Sequence, residues 1–157
     1  MLKFDNNIYN LNYVLDSLRD EDLEEVKAIW NNKWKENVIV QATKYGFITL
    51  FGKNNKHCLV PIAIGGFAET FPHDTNISCV WLLSSKDIKY NKTLLIKTLK
   101  QQISLASSKY KLMYNYIYKS NFEAKKWLKK LGFTFNNQYL PNNSIMENFE
   151  FFYKIII

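Results

Sequence analysis

The chain has 157 residues, a length typical of one domain, and 47% of them are apolar and 16% aromatic. This composition excludes a disordered chain, because disordered chains lack the apolar surface that offsets the entropy lost on folding. The formal net charge of +7 favours anionic partners such as coenzyme phosphates. Scattered lysines are more often a solvated surface, so nucleic acid is not favoured as a partner.

Cysteine and hydropathy patterns argue against a disulfide framework, a metal site, a signal peptide and a membrane span. Cys58 and Cys79 lie far apart with no CxxC motif or histidine cluster, so we expect neither a disulfide framework nor a metal site. Residues 1–12 lack the basic start and apolar run of a signal peptide, and no apolar stretch reaches the roughly 18 residues of a membrane span. We therefore expect a cytoplasmic protein that does not contact membranes.

The first part of the chain predicts helices. Apolar residues recur at helical spacing over residues 23–34, and the three acidic residues before them suit the positive end of a helix dipole. Asp20 is the predicted N-cap. A helix with weaker boundaries is predicted over residues 12–19.

The middle of the chain predicts strands, because β-branched and aromatic runs alternate with turn residues from Phe47 onward. The strands are expected over residues 46–51, 58–67 and 77–83. Gly52 and the asparagines after it suit a hairpin turn, so these strands should form an antiparallel meander.

The last third alternates helices and strands. Helical spacing of apolar residues predicts a helix over residues 93–106, and alternation predicts a strand over 110–118. A capping box at residues 120–123 opens a helix that runs through Leu131 and ends at Gly132. The last two strands are predicted over residues 133–139 and 149–157.

This order of elements predicts the fold class. Antiparallel strands followed by a strand, helix and strand crossover indicate an α/β (α+β) domain over residues 1–157, with a central mixed, mostly antiparallel twisted sheet flanked by helices.

One segment resembles a known family. Residues 120–133 resemble the C-terminal signature of the GNAT N-acetyltransferases: an asparagine at a strand end, a short helix with alanine on its inner face, and a Leu-Gly-Phe turn. Residues 18–26 resemble the first helix of that family, and Ile62–Gly66 and Val80–Ser85 resemble two of its strands. The resemblance covers residues 15–140.

The resemblance implies a GNAT-like fold and transfer of an acetyl group from acetyl-CoA to a primary amine, without a metal. It also implies a V-shaped opening between the strands of Val80 and Tyr114 that admits the pantetheine chain. Asn121 would contact the coenzyme or form the strand-to-helix corner. The implied coenzyme contacts are Trp81, Leu82, Leu83, Ser84, Ser85, Lys86, Lys89, Asn91, Lys92 and Asn121.

Two positions depart from the family pattern. Most catalytic members hold the coenzyme pyrophosphate on the backbone of a glycine-rich loop, whereas residues 84–92 contain no glycine. Many members place a tyrosine, the acid that protonates the leaving thiolate, where this chain has Leu128.

Three residues are candidates for acid and base chemistry. Glu69 is the candidate base, because family members often use a glutamate on that strand, although strand-end glutamates are more often simply solvated. His73 titrates near neutral pH but fits an exposed turn equally well. Tyr116, which alternates with Tyr114 and Tyr118, either replaces the missing acid or lines an acceptor pocket, or belongs to an aromatic face that stabilises the sheet.

Two other functions remain open at this stage. The departures favour a degenerate GNAT-fold structural or interaction protein, and the Trp-Leu-Leu wording at residues 81–83 resembles small acyltransferase-like proteins of tailed phages. That alternative would place the protein in the host cytoplasm or a virion, with a virion or host protein as partner. Nucleic-acid binding through the lysine surface is the third reading.

Overall fold

Strands of one twisted sheet dominate a computed structural model of the chain, which describes residues 1–4, 7–139 and 145–157. The strands are β1 (Leu2–Phe4), β2 (Ile48–Lys53), β3 (Leu59–Ala68), β4 (Ile77–Ser84), β5 (Leu112–Tyr118), β6 (Thr134–Phe135) and β7 (Phe149–Ile155). The helices are α1 (Ile8–Asp16), α2 (Asp20–Trp30), α3 (Trp34–Tyr45), α4 (Lys92–Ala106) and α5 (Phe122–Lys130).

The sheet is mixed and mostly antiparallel. Its strand order is β1-β2-β3-β4-β5-β7-β6, and every neighbouring pair is antiparallel except β4 and β5, which are parallel. The parallel pair is the one that α4 connects, as a crossover helix must. The predicted fold class is therefore confirmed.

Helices cover both faces of the sheet. Ile64 and Leu83 pack with α1, α2 and α3, whereas the neighbouring residues Ala63 and Leu82 pack with α4 and α5. Because successive side chains of a strand point to opposite faces, these two clusters lie on opposite sides of the sheet. A third cluster, centred on Met113 of β5, joins α5 to the β5–β7 edge.

The first helix differs from the prediction. Residues 23–34 do not form one helix: α2 ends at Trp30, a short 3-10 turn covers residues 31–33, and α3 begins at Trp34. Asn31 breaks the helix because it adopts a positive φ of 53°, which asparagine tolerates better than most residues. Asp20 is the first helical residue, and the N-cap position belongs to Arg19.

The C-terminal signature is close to its prediction. Gly132 follows α5 with a φ of 84°, the left-handed conformation expected after a helix end. The N-cap is Asn121, whose Oδ1 accepts from the Ala124 N–H at 3.4 Å, so the predicted capping box begins one residue late. Only Thr134–Phe135 of the predicted 133–139 strand pairs with β7.

Candidate functional site

Strands β4 and β5 separate after a short parallel pairing. The pairing stops at Cys79 and Tyr114, although β4 continues to Ser84 and β5 to Tyr118. The V-shaped opening implied by the sequence is therefore present, and it lies between the C-terminal halves of the two strands.

A cavity of about 150 Å³ occupies this gap. Asp22 and Glu25 of α2 line it from one face of the sheet, and Leu99 of α4 and Trp127 and Leu128 of α5 line it from the other. Its walls are mostly apolar. The cavity therefore extends through the gap from one face of the sheet to the other.

The edge of β4 offers hydrogen-bonding groups to the gap. The Val80 carbonyl accepts from Asn115 Nδ2 at 2.8 Å, and the Ser84 N–H donates to Asp22 Oδ2 at 2.8 Å, so both groups point toward β5. Because backbone groups alternate along a strand, the N–H and C=O of Leu82 face the same gap. Leu82 has no pairing partner in β5.

A buried polar network closes the open end of the gap. Arg19 Nη2 donates to Asp22 Oδ1 at 2.7 Å and to Asn121 Oδ1 at 3.1 Å, and the guanidinium carbon lies 4.8 Å from the centre of the Trp127 ring. Asp22 Oδ2 also accepts from the Ser84 hydroxyl at 2.8 Å. This network joins the start of α2 to the ends of β4 and β5.

Arg19 retains unused donors in this network. Its side chain is only 8% exposed, and its Nε and Nη1 make no hydrogen bond to any residue that the structure describes. The Glu123 carboxylate lies 3.6 Å from Nη1, beyond hydrogen-bonding distance. An uncharged acceptor in the cavity, such as an amide carbonyl, would satisfy these donors without adding to the nearby negative charge.

The first half of the loop after β4 uses its backbone amides within the protein. Residues 86–90 form a 3-10 turn, and Ile88 is buried against β2 and β3. The N–H groups at the loop start donate to protein oxygens, and these donors are Ser84, Ser85, Lys86, Asp87 and Ile88. The amides of residues 84–88 are therefore already paired within the protein.

The polar side chains of this loop also have partners within the protein. Lys86 Nζ lies 3.2 Å from an Asp20 oxygen, and Lys89 lies over the ring of Tyr90. Asn91 Nδ2 donates to the Lys53 carbonyl at 2.8 Å. None of these three side chains lines the cavity.

A second, outer groove lies between α4 and α5. Trp127 lines both the groove and the inner cavity, so its side chain borders the two spaces. Glu21 and Glu123 are the acidic residues of the groove, and Lys92 pairs with Glu123. The groove is otherwise basic, with Lys92, Lys97, Lys100, Lys126 and Lys130 along it.

Two side chains of the inner cavity that can act as an acid or a base, Glu25 and Tyr116, have raised pKa values. Burial raises the pKa of Glu25 to about 7, and the nearby Asp22 charge acts in the same direction. Burial also raises the pKa of Tyr116, whose side chain lines the cavity from β5. At neutral pH the tyrosine therefore keeps its proton, whereas the glutamate can gain or lose one.

Glu69 and His73 lie outside the cavity. The Glu69 carboxylate pairs with Lys109 and accepts from the Tyr110 hydroxyl at 3.0 Å, and these two hydrogen bonds lower its pKa. His73 is exposed in the turn after β3. The catalytic roles of both residues stay predictions, and the geometry gives them no support.

The other predicted site residues divide between cavity and core. Trp81, Leu82, Asn121 and Tyr116 line the cavity, whereas Leu83 packs against α1 in the core. Tyr116 also lies 5.3 Å from the ring of Phe151, so it belongs to an aromatic cluster as well. Ser84 and Ser85 are fully buried at the end of β4, and the Ser84 hydroxyl donates to Asp22.

Sequence patterns did not identify Arg19, Asp22 and Glu25 as site residues. In sequence these residues look like a solvated acidic first turn of a helix. One signal points to them: Arg19, Asp22 and Val26 share the stripe of α2 that faces the core, so charged residues occupy buried positions there. Charges on a buried stripe indicate a polar network or a site.

The described part of the chain lacks the residues for a metal site, a reactive thiol in the gap or a membrane-spanning helix. No group of three or more His, Cys, Asp or Glu side chains converges there as a metal site. Burial raises the pKa of Cys79, at the base of the gap, to about 12, so its thiol stays protonated at neutral pH. Within the described ranges, no helix has the length and apolarity needed to cross a bilayer.

No protein-family model and no curated protein sequence matches the chain. Solved structures match it over almost its whole length. The acetyltransferase of GNAT family from Streptococcus pneumoniae has a TM-score of 0.62 at 12% identity, covering 100% of this chain and 99% of that one. An acetyltransferase from Streptococcus agalactiae has a TM-score of 0.68 at 15% identity, covering 99% and 97%.

A third match is the spermidine N-acetyltransferase from Vibrio cholerae, determined with CoA and spermine, with a TM-score of 0.64 at 10% identity, covering 99% of this chain and 95% of that one. Identities this low concern the arrangement of the backbone alone. Together with the separated β4 and β5 strands, these matches establish that the chain has the fold of the GNAT acetyltransferases.

Proposed function

We propose that the protein is an acyl-CoA-dependent N-acyltransferase that transfers an acetyl group from acetyl-CoA to a primary amine. The observation that carries the proposal is the gap between β4 and β5, where Leu82 presents an unpaired N–H and C=O to a cavity lined from both faces of the sheet. The fold shared with acetyltransferases supports it.

The inner cavity suits the pantetheine arm of the coenzyme. This arm is extended and contains two amides, so it can add to the edge of β4 as a strand-like partner of Leu82. The apolar walls would surround its methylene groups, and an amide carbonyl would accept from the unpaired donors of Arg19. Acetyl-CoA would supply the activated acyl group at the inner end of the arm.

The coenzyme phosphates need a binding site other than a glycine-rich loop. Because the amides of residues 84–88 are paired within the protein, we assign the phosphates to the lysine side chains of the outer groove. Trp127 borders both the groove and the inner cavity, so a coenzyme that occupies both would pass its side chain. Side chains bind phosphate less rigidly than a backbone cradle, and binding should weaken with salt.

The protonation of the leaving thiolate requires an acid other than Leu128. We assign this role to Tyr116, since its side chain lines the cavity and its hydroxyl makes no hydrogen bond to a described residue. The raised pKa keeps it protonated until the thiolate forms.

The second candidate is a degenerate GNAT-fold protein that acts as a structural or interaction module. One observation favours it. A pantetheine arm that pairs with β4 would need the Ser84 N–H as a hydrogen-bond donor, and this N–H already donates to Asp22. The comparisons give no support to the narrower phage or virion association. This alternative predicts that no coenzyme binds.

A calorimetric titration with acetyl-CoA separates the two candidates. We expect saturable binding with a Kd below roughly 1 mM, the upper end of ordinary KM values. Acetyl-pantetheine, which lacks the nucleotide phosphates, should bind more weakly and without salt dependence, because it does not reach the outer lysines. No heat with either compound at millimolar concentration would leave the interaction module as the function.

Turnover is then measured by thiol release with a panel of primary amines, including polyamines. Amine-dependent release of coenzyme A is expected. Binding of acetyl-CoA without release in the presence of any amine would contradict the transferase and leave a coenzyme-binding protein.

A further inference from the structure

Glu25 carries a half-buried carboxylate at the open end of the cavity. Its Oε2 accepts from the Tyr118 N–H at 3.1 Å and from Asn121 Nδ2 at 3.5 Å. It forms no ion pair with any cation that the structure describes, unlike Asp22, Glu69 and Glu123. A carboxylate in a largely apolar cavity without a paired cation is poised to receive a proton.

The charges around Glu25 favour a cationic ligand. On its own helix it faces the Asp22 carboxylate, and Arg19 from the residue before α2 is committed to Asp22 and Asn121. From β5 and α5 it meets the Tyr118 N–H and the Asn121 amide, both uncharged. Glu25 and Asp22 together exceed the single charge of Arg19, so a protonated amine would be attracted here.

We propose that Glu25 is the group that takes the proton from the acceptor amine, an inference that rests on the function proposed above. The ammonium nitrogen gives one proton to the Glu25 carboxylate and then attacks the thioester carbonyl carbon. The C–N bond forms, and the C–S bond breaks with its electron pair on sulfur. Tyr116 gives its proton to the thiolate. The nitrogen of the new amide then loses a second proton, which returns to Tyr116 directly or through water.

The position of Glu25 fits this role better than that of Glu69. Glu25 reaches the cavity from α2, on the face opposite to the α4 and α5 helices that flank the outer groove. A coenzyme that enters from the groove and an amine that enters beside α2 would meet in the gap between β4 and β5. Its pKa of about 7 suits a base that works near neutral pH.

A purely structural role for Glu25 is the competing reading, because its hydrogen bonds hold the end of β5 next to α5. Glu25→Gln separates the two roles. The glutamine oxygen can still accept from the Tyr118 N–H, but it cannot take a proton. The variant should fold, since ionisation of a group with a raised pKa costs native stability as the pH rises from about 5 to about 7, and glutamine removes that cost.

The test compares the pH profiles of kcat/KM for the wild type and Glu25→Gln, measured with one primary amine. The wild-type value should rise as the pH increases through about 7 and then level off, because the carboxylate form of Glu25 takes the proton from the ammonium. The Glu25→Gln value should be roughly 100-fold or more lower near pH 7 and should keep rising toward the pKa of the amine, because the variant can use only amine that has already lost its proton. Glu24→Gln, at an exposed neighbouring position that does not line the cavity, should match the wild type.

The outcomes distinguish this inference from the function on which it rests. Parallel pH profiles for the two proteins, or a variant with wild-type kcat/KM, would overturn the role of Glu25 while leaving the acyltransferase intact. An absence of wild-type turnover with every amine would overturn both. Unchanged acetyl-CoA binding by Glu25→Gln in calorimetry is expected, because the carboxylate acts on the amine and not on the coenzyme.

Discussion

Asp22→Ala should lower the free energy of unfolding by about 3–5 kcal/mol. The substitution leaves the buried Arg19 guanidinium without its nearest carboxylate and leaves the Ser84 N–H and hydroxyl without an acceptor. An unpaired buried charge is more costly than the loss of the ion pair itself. Urea denaturation followed by circular dichroism measures the change.

The matched control removes both charges. Arg19→Met combined with Asp22→Ala should recover at least half of the stability lost by Asp22→Ala alone, because no buried charge remains unpaired. If Asp22→Ala costs less than about 1 kcal/mol, the network is not closed to water as described and Arg19 does not depend on Asp22.

Ala124→Leu should reduce the affinity for acetyl-CoA by roughly 10- to 100-fold. Ala124 lines the inner cavity from α5, and a larger side chain there would occupy space that the pantetheine arm needs. Forcing extra methylene groups into an occupied space typically costs 1–3 kcal/mol, and 1.4 kcal/mol corresponds to a factor of ten. Calorimetry gives the change in Kd.

Gln101→Leu is the control for added apolar bulk, because Gln101 is an exposed residue of α4 that lines neither the cavity nor the groove. It should bind acetyl-CoA like the wild type. Equal Kd values for Ala124→Leu and the wild type would show that the coenzyme binds elsewhere.

The parts of the fold that local signals determine could be predicted from the sequence. Gly132 marks the end of α5 because the left-handed conformation favours glycine. The start of α5 was predicted to within one residue, because the capping pattern pointed to Ser120 and the cap is the neighbouring Asn121. The runs of apolar residues predicted strands β3 and β4 to within one residue at each end. The gap between β4 and β5 was implied only by the family resemblance.

Long-range contacts could not be predicted. The carboxylate that occupies the end of β4, Asp22, lies 62 residues from Ser84 in sequence. The missing glycines after β4 argued against a close backbone approach to phosphates, but they did not indicate which groups pair with the amides. Helix α3 was missed because only Val38 and Ala42 of it are buried, which leaves little apolar periodicity to detect.

Amide hydrogen exchange at Leu82 tests the central claim most directly. Because its N–H faces the gap without a partner strand, we expect fast exchange in the free protein and marked slowing when acetyl-CoA is added, while Val80 and the β3-paired residues change little. Exchange at Leu82 that is unaffected by millimolar acetyl-CoA would mean that no pantetheine arm enters between β4 and β5.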